Sequence, residues 1–234
     1  MASKSKPKQS GASARGGKGR RLGYYILPEE RVDFFLVLDF EGVNNKYHGG
    51  PDIMELIEFP VLKVNSRTFE TESEFHSYIQ PTIHTRLNPV CTEITGITQE
   101  MVDGQPTLPE VLKRLDEWMK GEGLLVGGVR TCFVTCGDWD LKTGLPVQCQ
   151  YQNLEYPDYL RKWINIKDSF QALTGTKGRS MKTMLRDLQL ELDGRHHSGI
   201  DDSRNIAKIL RTLAQRDPHR LGQGIVTPKT LNKT

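Results

Sequence analysis

The sequence has no long apolar run and few cysteines, and each absence narrows the class of protein. Nowhere in its 234 residues does an apolar run approach the roughly 18 to 20 residues that a membrane helix requires. The 4 cysteines include no C-x-x-C pair and have no paired histidines at zinc-finger spacing, which argues against a structural zinc site or a disulfide framework. The N-terminus lacks the apolar segment of a signal peptide. We therefore expect an intracellular protein, in the cytoplasm, the nucleus or both.

Acidic residues are missing from both ends of the chain. Residues 1–21 and 218–234 together hold ten of the 32 basic residues and none of the 29 acidic ones, so the body between them has a formal charge of −7. The sequence predicts a disordered basic tail over 1–24, one folded domain over 25–217 and a basic C-terminal tail over 218–234. The N-terminal tail either attracts phosphate backbones, directs nuclear import or merely aids solubility.

Apolar runs and helical periodicity alternate through the body of the chain. The order of elements indicates an α/β architecture, a mixed sheet covered by helices. Pro60 predicts a bulge or an edge in the second strand. The predicted strands cover 33–40, 53–64, 68–79, 131–136 and 163–166, and the predicted helices cover 98–103, 106–119, 138–145, 168–174, 180–188 and 202–215.

Residues 34–42 read FFLVLDFEG, an apolar run that ends in two carboxylates. In a strand, residues two apart face the same side, so Asp39 and Glu41 project together while Phe40 packs the other way. Two carboxylates on one face repel each other unless they are protonated or bind a hard divalent cation, and oxygen ligands suit magnesium or manganese. The alternative is a strand that simply reaches the surface at its end.

Two further stretches place acidic residues at the start of predicted helices. In GDWD, residues 137–140, either Asp138 or Asp140 caps the helix and the other points toward the sheet. In RHHSGIDD, residues 195–202, a loop with two histidines precedes a helix whose first turn holds Asp202. This pattern either brings an imidazole and a carboxylate to a common centre, or combines a helix cap with ordinary loop histidines.

In this order, the motifs resemble those of the DEDDh superfamily of 3′-to-5′ exonucleases. Asp39-x-Glu41 resembles the first motif, Asp140 the second, and His197-x-x-x-x-Asp202 the third. LDFEG, TCGDWDLKTGLPVQCQ, KWINIK and RHHSGIDDSRNIAKI are similar to the metazoan 3′-to-5′ exoribonuclease group, which includes the histone-mRNA 3′ exonuclease and the enhanced-RNA-interference and prion-protein-interacting exoribonucleases. The resemblance implies an RNase H-like fold, with a mixed sheet of about five strands flanked by helices.

The resemblance also implies the reaction. It is the metal-dependent hydrolysis of single-stranded RNA from a free 3′-hydroxyl, which releases nucleoside 5′-monophosphates; DNA and the 3′ overhangs of duplexes are alternative substrates. Asp39, Glu41, Asp140 and Asp202 would hold two Mg²⁺ ions, with Mn²⁺ as an alternative, and His197 would be the general base. No membrane partner is expected.

The same resemblance suggests contacts with the last nucleotide of the substrate. Ile94 or Ile97 would stack on its base and Thr95 would bond its sugar, although the alternative is a turn with buried isoleucines before a helix. A non-catalytic nucleic-acid-binding or scaffold protein on the same fold, and a metal phosphatase or endonuclease, are competing functions, against which the complete set of acidic residues and the histidine argue. The predicted substrate-binding residues are Phe40, Gly42, Val43, Ile94, Thr95 and Ile97.

Overall fold

A computed structural model describes residues 25–27, 30–221 and 225–226. Within these residues the centre of the fold is a mixed seven-stranded sheet with the order β4-β5-β3-β7-β8-β9, in which β6 also pairs with β5; β1 and β2 form a separate hairpin. The strands are β1 (Tyr25–Leu27), β2 (Glu30–Arg31), β3 (Phe34–Val37), β4 (Glu41–Val43), β5 (Glu55–Asn65), β6 (Thr71–Tyr78), β7 (Thr131–Thr135), β8 (Trp163–Asn165) and β9 (Ile225–Val226).

The helices lie on both faces of this sheet. A π turn (Asp140–Gly144) leads into α4, and 3₁₀ turns cover Lys46–His48 and Asp158–Arg161. The α/β class that the sequence predicts is confirmed. The helices are α1 (Pro89–Thr95), α2 (Gln99–Val102), α3 (Leu108–Gly121), α4 (Leu145–Tyr151), α5 (Ile166–Thr174), α6 (Met181–Asp187), α7 (Gly199–Arg216) and α8 (Pro218–Leu221).

Strand β3 contributes to a hydrophobic core on each face of the sheet. Phe35 and Val37 pack in the core that includes residues of α5, α6 and α7. Leu36 and Leu38 belong to the opposite core, with residues of α3 and α4. Because successive side chains of a strand point to opposite faces, this largely buried strand holds the residues that follow it in a fixed orientation.

Pro60 lies in the interior of β5, which is not an edge strand of the sheet, but one side of β5 is unpaired at this position. It stands opposite His76 of β6 on one side. On the other side the pairing of β5 with β4 ends at Glu58 and its pairing with β3 begins at Leu62. Pro60 thus falls between two ladders, where β5 has no strand partner on that side. The register shift between β5 and β6 is at Lys63 and Val64 rather than at the proline.

The packed body extends past the predicted domain boundary at residue 217. Leu221 is buried in a core, and its carbonyl accepts a 2.6 Å hydrogen bond from Ser169 Oγ. Val226 in β9 pairs with Trp163 in β8. The predicted N-terminal tail, 1–24, lies outside the described residues. Among the helices of the described part, none has the length and apolarity needed to cross a membrane.

Candidate active site

Two segments that are far apart in the sequence bring three carboxylates together at one end of the sheet. Asp39 follows β3, Glu41 begins β4, and Asp202 lies in the first turn of α7. One carboxylate oxygen from each of these residues lies within 4.8 Å of the others. The strand alternation that the sequence predicts for Asp39 and Glu41 therefore directs both toward the same centre.

Asp140 is the fourth carboxylate of this centre. It is 5% exposed and begins the π turn, and its Oδ1 accepts a 2.9 Å hydrogen bond from the backbone amide of Phe40. Asp138 instead accepts a 3.1 Å bond from Trp163 Nε1. Of the two arrangements that the sequence left open, the inward Asp140 is the one found. We call Asp39, Glu41, Asp140 and Asp202 the acidic cluster.

Burial and mutual repulsion disfavour full ionisation of the acidic cluster. Burial, followed by the charges of Asp140 and Glu41, raises the pKa of Asp39 well above its usual value. Burial and then the charge of Glu58 raise the pKa of Glu41 to about 8. Burial raises the pKa of Asp140 to about 6, although the Phe40 amide opposes the rise. Hard divalent cations relieve such repulsion and prefer oxygen ligands, so the residues fit a metal site.

Residues 194–198, which we call the histidine loop, lie against Asp202. Asp202 Oδ2 accepts a 2.9 Å bond from the His197 amide and lies 3.0 Å from His196 Nδ1. The two imidazole rings stack with their centroids 3.9 Å apart, and His197 has a φ of 65°. Burial and then His196 lower the pKa of His197, which favours a neutral ring near pH 7 that can accept a proton.

Glu58 joins this centre, although the sequence motifs did not indicate it. Its carboxylate is 1% exposed and accepts bonds from the amides of Gly199 at 2.8 Å and Ile200 at 3.1 Å, and its Oε1 lies 2.8 Å from His76 Nε2. It thus fixes the N-terminus of α7 to the sheet. The available signal was an acidic residue inside the apolar run IMELIEFPVLKV. A Cβ on Gly199 would lie 2.6 Å from the carbonyl oxygen of Asp39.

Two of the three residues predicted to meet the substrate just after β3 have buried side chains. Phe40 packs on Phe59, with ring centroids 4.3 Å apart, and Val43 is 0% exposed. Both side chains therefore pack in the core, and a contact of either residue with a nucleotide would use its backbone atoms; the contact itself stays a prediction. Gly42 is half-buried and offers only backbone atoms.

The segment Glu93–Thr98 also separates into exposed and buried residues. It begins within α1, whereas the alternative to a substrate contact was a turn before a helix. Ile97 is 2% exposed and lies in a small core with Val102. The Thr95 hydroxyl donates to the Cys91 carbonyl at 2.8 Å, so the predicted contacts of Ile97 with a base and of Thr95 with a sugar do not fit. Ile94 is 47% exposed and remains available to a substrate.

The fold and the acidic cluster define an RNase H-like α/β protein with a site suited to divalent metal ions. The family model described as Exonuclease, RNase T, matches residues 36–210. The solved nuclease domain of 3′hExo, a DEDDh family member bound to rAMP, is 38% identical with a TM-score of 0.75, and the match covers 80% of this chain and 94% of that one. The chain therefore belongs to the exonuclease family, in its DEDDh group, which confirms the resemblance that the motifs indicated.

Two further matches lie within the same family. Human ERI1 exoribonuclease 3 is 53% identical over 205 residues, which are 87% of this chain and 60% of that protein. A structure described as 3′-end specific recognition of histone mRNA stem-loop by 3′-exonuclease is 38% identical with a TM-score of 0.73, over 79% of this chain and 64% of that one. This chain thus spans a little over half the length of the curated relatives that it matches.

Proposed function

We propose that this chain is a divalent-metal-dependent 3′-to-5′ exonuclease that removes nucleotides from the free 3′-hydroxyl of single-stranded RNA. The observation that carries the proposal is the convergence of the acidic cluster from three segments of the chain beside His197. A relative named as an exoribonuclease and a related structure with a histone mRNA stem-loop support RNA as the substrate class. DNA and 3′ overhangs of duplexes are alternative substrates.

The DEDDh family implies divalent metal ions, and the donor set of the acidic cluster fits them. Four carboxylates in a partly buried site carry more negative charge than burial tolerates. We propose two Mg²⁺ ions, replaceable by Mn²⁺, held by these four residues. When bound, they would lower the pKa of the attacking water and stabilise the leaving 3′ oxygen.

His197 is the proposed general base. Its side chain is exposed at the edge of the acidic cluster, where a substrate phosphate and a water can approach it. The lowered pKa of His197 keeps its ring free to take a proton from that water at neutral pH. Asp202 orients the base, because it accepts the hydrogen bond of the His197 amide.

A labelled-strand assay tests this function. RNA single strands labelled at the 5′ end, with a free or a blocked 3′ terminus, are incubated with the protein in Mg²⁺ or in a chelator, alongside matched DNA. Shortening one nucleotide at a time, only of the free-ended strand and only with metal, is the expected result. Cleavage of a circular strand, or activity that survives Asp202→Ala, contradicts the proposal. Binding of RNA without any turnover would identify the protein as a scaffold on the same fold.

A further inference from the structure

Arg195 connects the histidine loop to an element on the other side of the site. Its backbone amide donates to Asp201 Oδ2 at 2.9 Å, which ties the loop to α7. Its side chain extends to α1, where Nη2 donates to the carbonyl oxygens of Glu93 at 2.8 Å and Ile94 at 3.3 Å. One exposed arginine thus joins two elements that are about a hundred positions apart in the sequence.

The end of α1 is suited to an arginine. The last carbonyl groups of a helix have no partner within it, and they favour a nearby cation. Gly96 ends α1 with a φ of 78°, and a Cβ there would lie 2.7, 2.8 and 2.9 Å from Cζ, Nη1 and Nε of Arg195. Such similar distances mean that the face of the guanidinium covers Gly96. A lysine ammonium offers neither this plane nor the forked donors.

Helix α1 is also anchored at its other end, next to the strand that carries Glu41. Asn88 Nδ2 donates to the Asn44 carbonyl at 3.0 Å, and Cys91 Sγ lies 3.8 Å from the carbonyl oxygen of Gly42. The helix therefore runs from β4 to the histidine loop, with Ile94 exposed on its surface. A displacement of α1 is transmitted to the loop through Arg195.

Within the described residues, the hydrogen-bond contacts that His196 and His197 themselves make are with the carboxylate of Asp202, while Asp201 holds the loop at the Arg195 amide. The Asp202 carboxylate accepts from the His197 amide and contacts His196, yet it is also a proposed metal ligand. The contact of Arg195 with α1 supplies a constraint on the loop that does not use this carboxylate.

We propose that Arg195 is a positioning residue, which sets the place of His197 relative to the acidic cluster by clamping the histidine loop to α1. This inference rests on the proposed exonuclease function. The contact of Arg195 with α1 couples the surface around Ile94 to His197, which accepts the proton. The 3′ end of a substrate would meet this surface. Arg195 itself need not touch the substrate.

Three variants test the clamp. Arg195→Ala removes it, Arg195→Lys keeps only the charge, and Gly96→Ala displaces the guanidinium from the side of α1. The matched control is Lys208→Met, because Lys208 pairs with Asp193 and donates to the Glu191 carbonyl at 3.0 Å without bonding to α1. Each is compared with the unaltered chain for kcat and KM on RNA, and for hydrogen exchange of the loop amides.

The expected result is a loss of kcat on the order of 10- to 100-fold in all three variants, with KM changed less than about threefold. Free guanidinium ion should partly restore the kcat of Arg195→Ala, and methylammonium should not. The double variant of Arg195→Ala with Gly96→Ala should lose clearly less than the sum of the two single losses, because both changes remove the same contact; what remains of the Gly96→Ala loss is the strain of alanine at a φ of 78°. The His197 amide should exchange faster in Arg195→Ala but not in the Lys208 control.

Three results would overturn the proposed role of Arg195. The first is that Arg195→Ala has the same kcat and the same amide exchange rate as the control. The second is a fall in kcat/KM that comes from a higher KM, and the third is that the losses of kcat in Arg195→Ala and Gly96→Ala are additive in the double variant. An increase in KM with an unchanged kcat would mean that Arg195 binds the substrate directly. If the unaltered chain shows no nuclease activity, the proposed exonuclease function fails, and the exchange of the His197 amide alone then decides whether Arg195 holds the loop.

Discussion

Glu41 illustrates how a single carboxyl group makes the site dependent on a cation. Its oxygens lie near those of Asp39 and Asp202, and Glu58 adds a further charge that opposes its ionisation. A group with so many negative neighbours is ionised without penalty only when positive charge is supplied. The proposed metal ions would therefore affect the stability of the protein as well as its chemistry.

The metal-free protein should lose stability as the pH rises. Burial and then the charge of Glu58 raise the pKa of Glu41 from its ordinary value of 4.5 to about 8, so between these two pH values the folded state keeps a proton that the unfolded chain has lost. Stability from this group is complete below the lower value and declines toward the higher one. We expect the free energy of unfolding, measured by denaturant titration in chelator, to fall between about pH 4.5 and pH 8.

Two controls accompany this measurement. Glu41→Gln removes the titrating group, so its stability should change less with pH, and saturating Mg²⁺ should flatten the dependence for the unaltered chain. Equal slopes for the unaltered chain and Glu41→Gln would show that this carboxyl group does not carry the effect.

His197 and Asp202 should differ in what their loss removes. His197→Asn deletes the proton acceptor but leaves all four carboxylates, so we expect kcat to fall by about 10²- to 10⁴-fold with Mg²⁺ binding retained. Asp202→Asn should weaken Mg²⁺ binding as well as turnover, because Asp202 is a proposed metal ligand. Single-turnover rates and calorimetric Mg²⁺ titrations separate the two.

The comparison can also fail in a clear way. If His197→Asn turns over at the rate of the unaltered chain, another group accepts the proton. If Asp202→Asn binds Mg²⁺ with unchanged affinity, Asp202 is not a ligand of the metal ion.

At the scale of the elements, the close packing of α7 on the sheet depends on Gly199 as well as on Glu58. Gly199 brings the start of α7 so close to the end of β3 that a Cβ would overlap the Asp39 carbonyl oxygen at 2.6 Å. Gly199→Ala should therefore force α7 outward, destabilise the protein by about 1 to 3 kcal/mol and increase the separation of Asp202 from Asp39. Thermal unfolding and Mg²⁺ affinity measure the two effects.

Gly121 provides the matched control for this change. It ends α3, and a Cβ there would meet no atom within 4 Å. Gly121→Ala should leave Mg²⁺ affinity unchanged and cost no stability, since alanine favours the helix. Equal Mg²⁺ affinity in both variants would contradict the role of Gly199.

The elements also differ in how far the sequence predicts them. β3 was predictable because its apolar run is long enough to imply a buried strand, and Asp39 and Glu41 follow from its alternation. β4 has three residues and β9 two, too few for any periodicity. α1 carried a usable signal, because Asn88 caps it through the Cys91 amide and Pro89 follows, yet its inward and outward residues do not form a clear apolar stripe.

Residues whose role depends on distant partners could not be predicted from local patterns. Glu58 resembles any acidic residue in a strand until α7 is placed against it, 141 positions further along the chain. Thr95 and Ile97 were assigned to a substrate because their segment resembles the one that packs on the terminal base in the family, whereas their burial depends on how α1 and the residues after it pack on Val43 and Val102. Family motifs locate the acidic cluster, and tertiary packing decides which of its neighbours are exposed.

At the scale of the whole molecule, the distribution of charge disfavours binding of the proposed RNA substrate. The region between the tails has a formal charge of −7, and the basic residues concentrate at the two ends of the sequence. RNA is a polyanion, so an acidic body repels it except where cations intervene. We propose that the basic N-terminal segment, residues 1–24, offsets this repulsion by contacting RNA phosphates without sequence preference.

Deletion of residues 1–24 should make RNA binding less sensitive to salt. The segment holds seven basic residues, and each phosphate contact on a single strand contributes about 0.7 to the slope of log affinity against log salt, so the slope should become shallower by at most about 5. Affinity measured in Ca²⁺ over a series of potassium chloride concentrations gives this slope, and a Gly/Ser segment of the same length is the control for length. The turnover rate of saturated enzyme should stay the same, because the acidic cluster and His197 are untouched. An unchanged slope after deletion would limit the segment to another role, such as solubility or nuclear import.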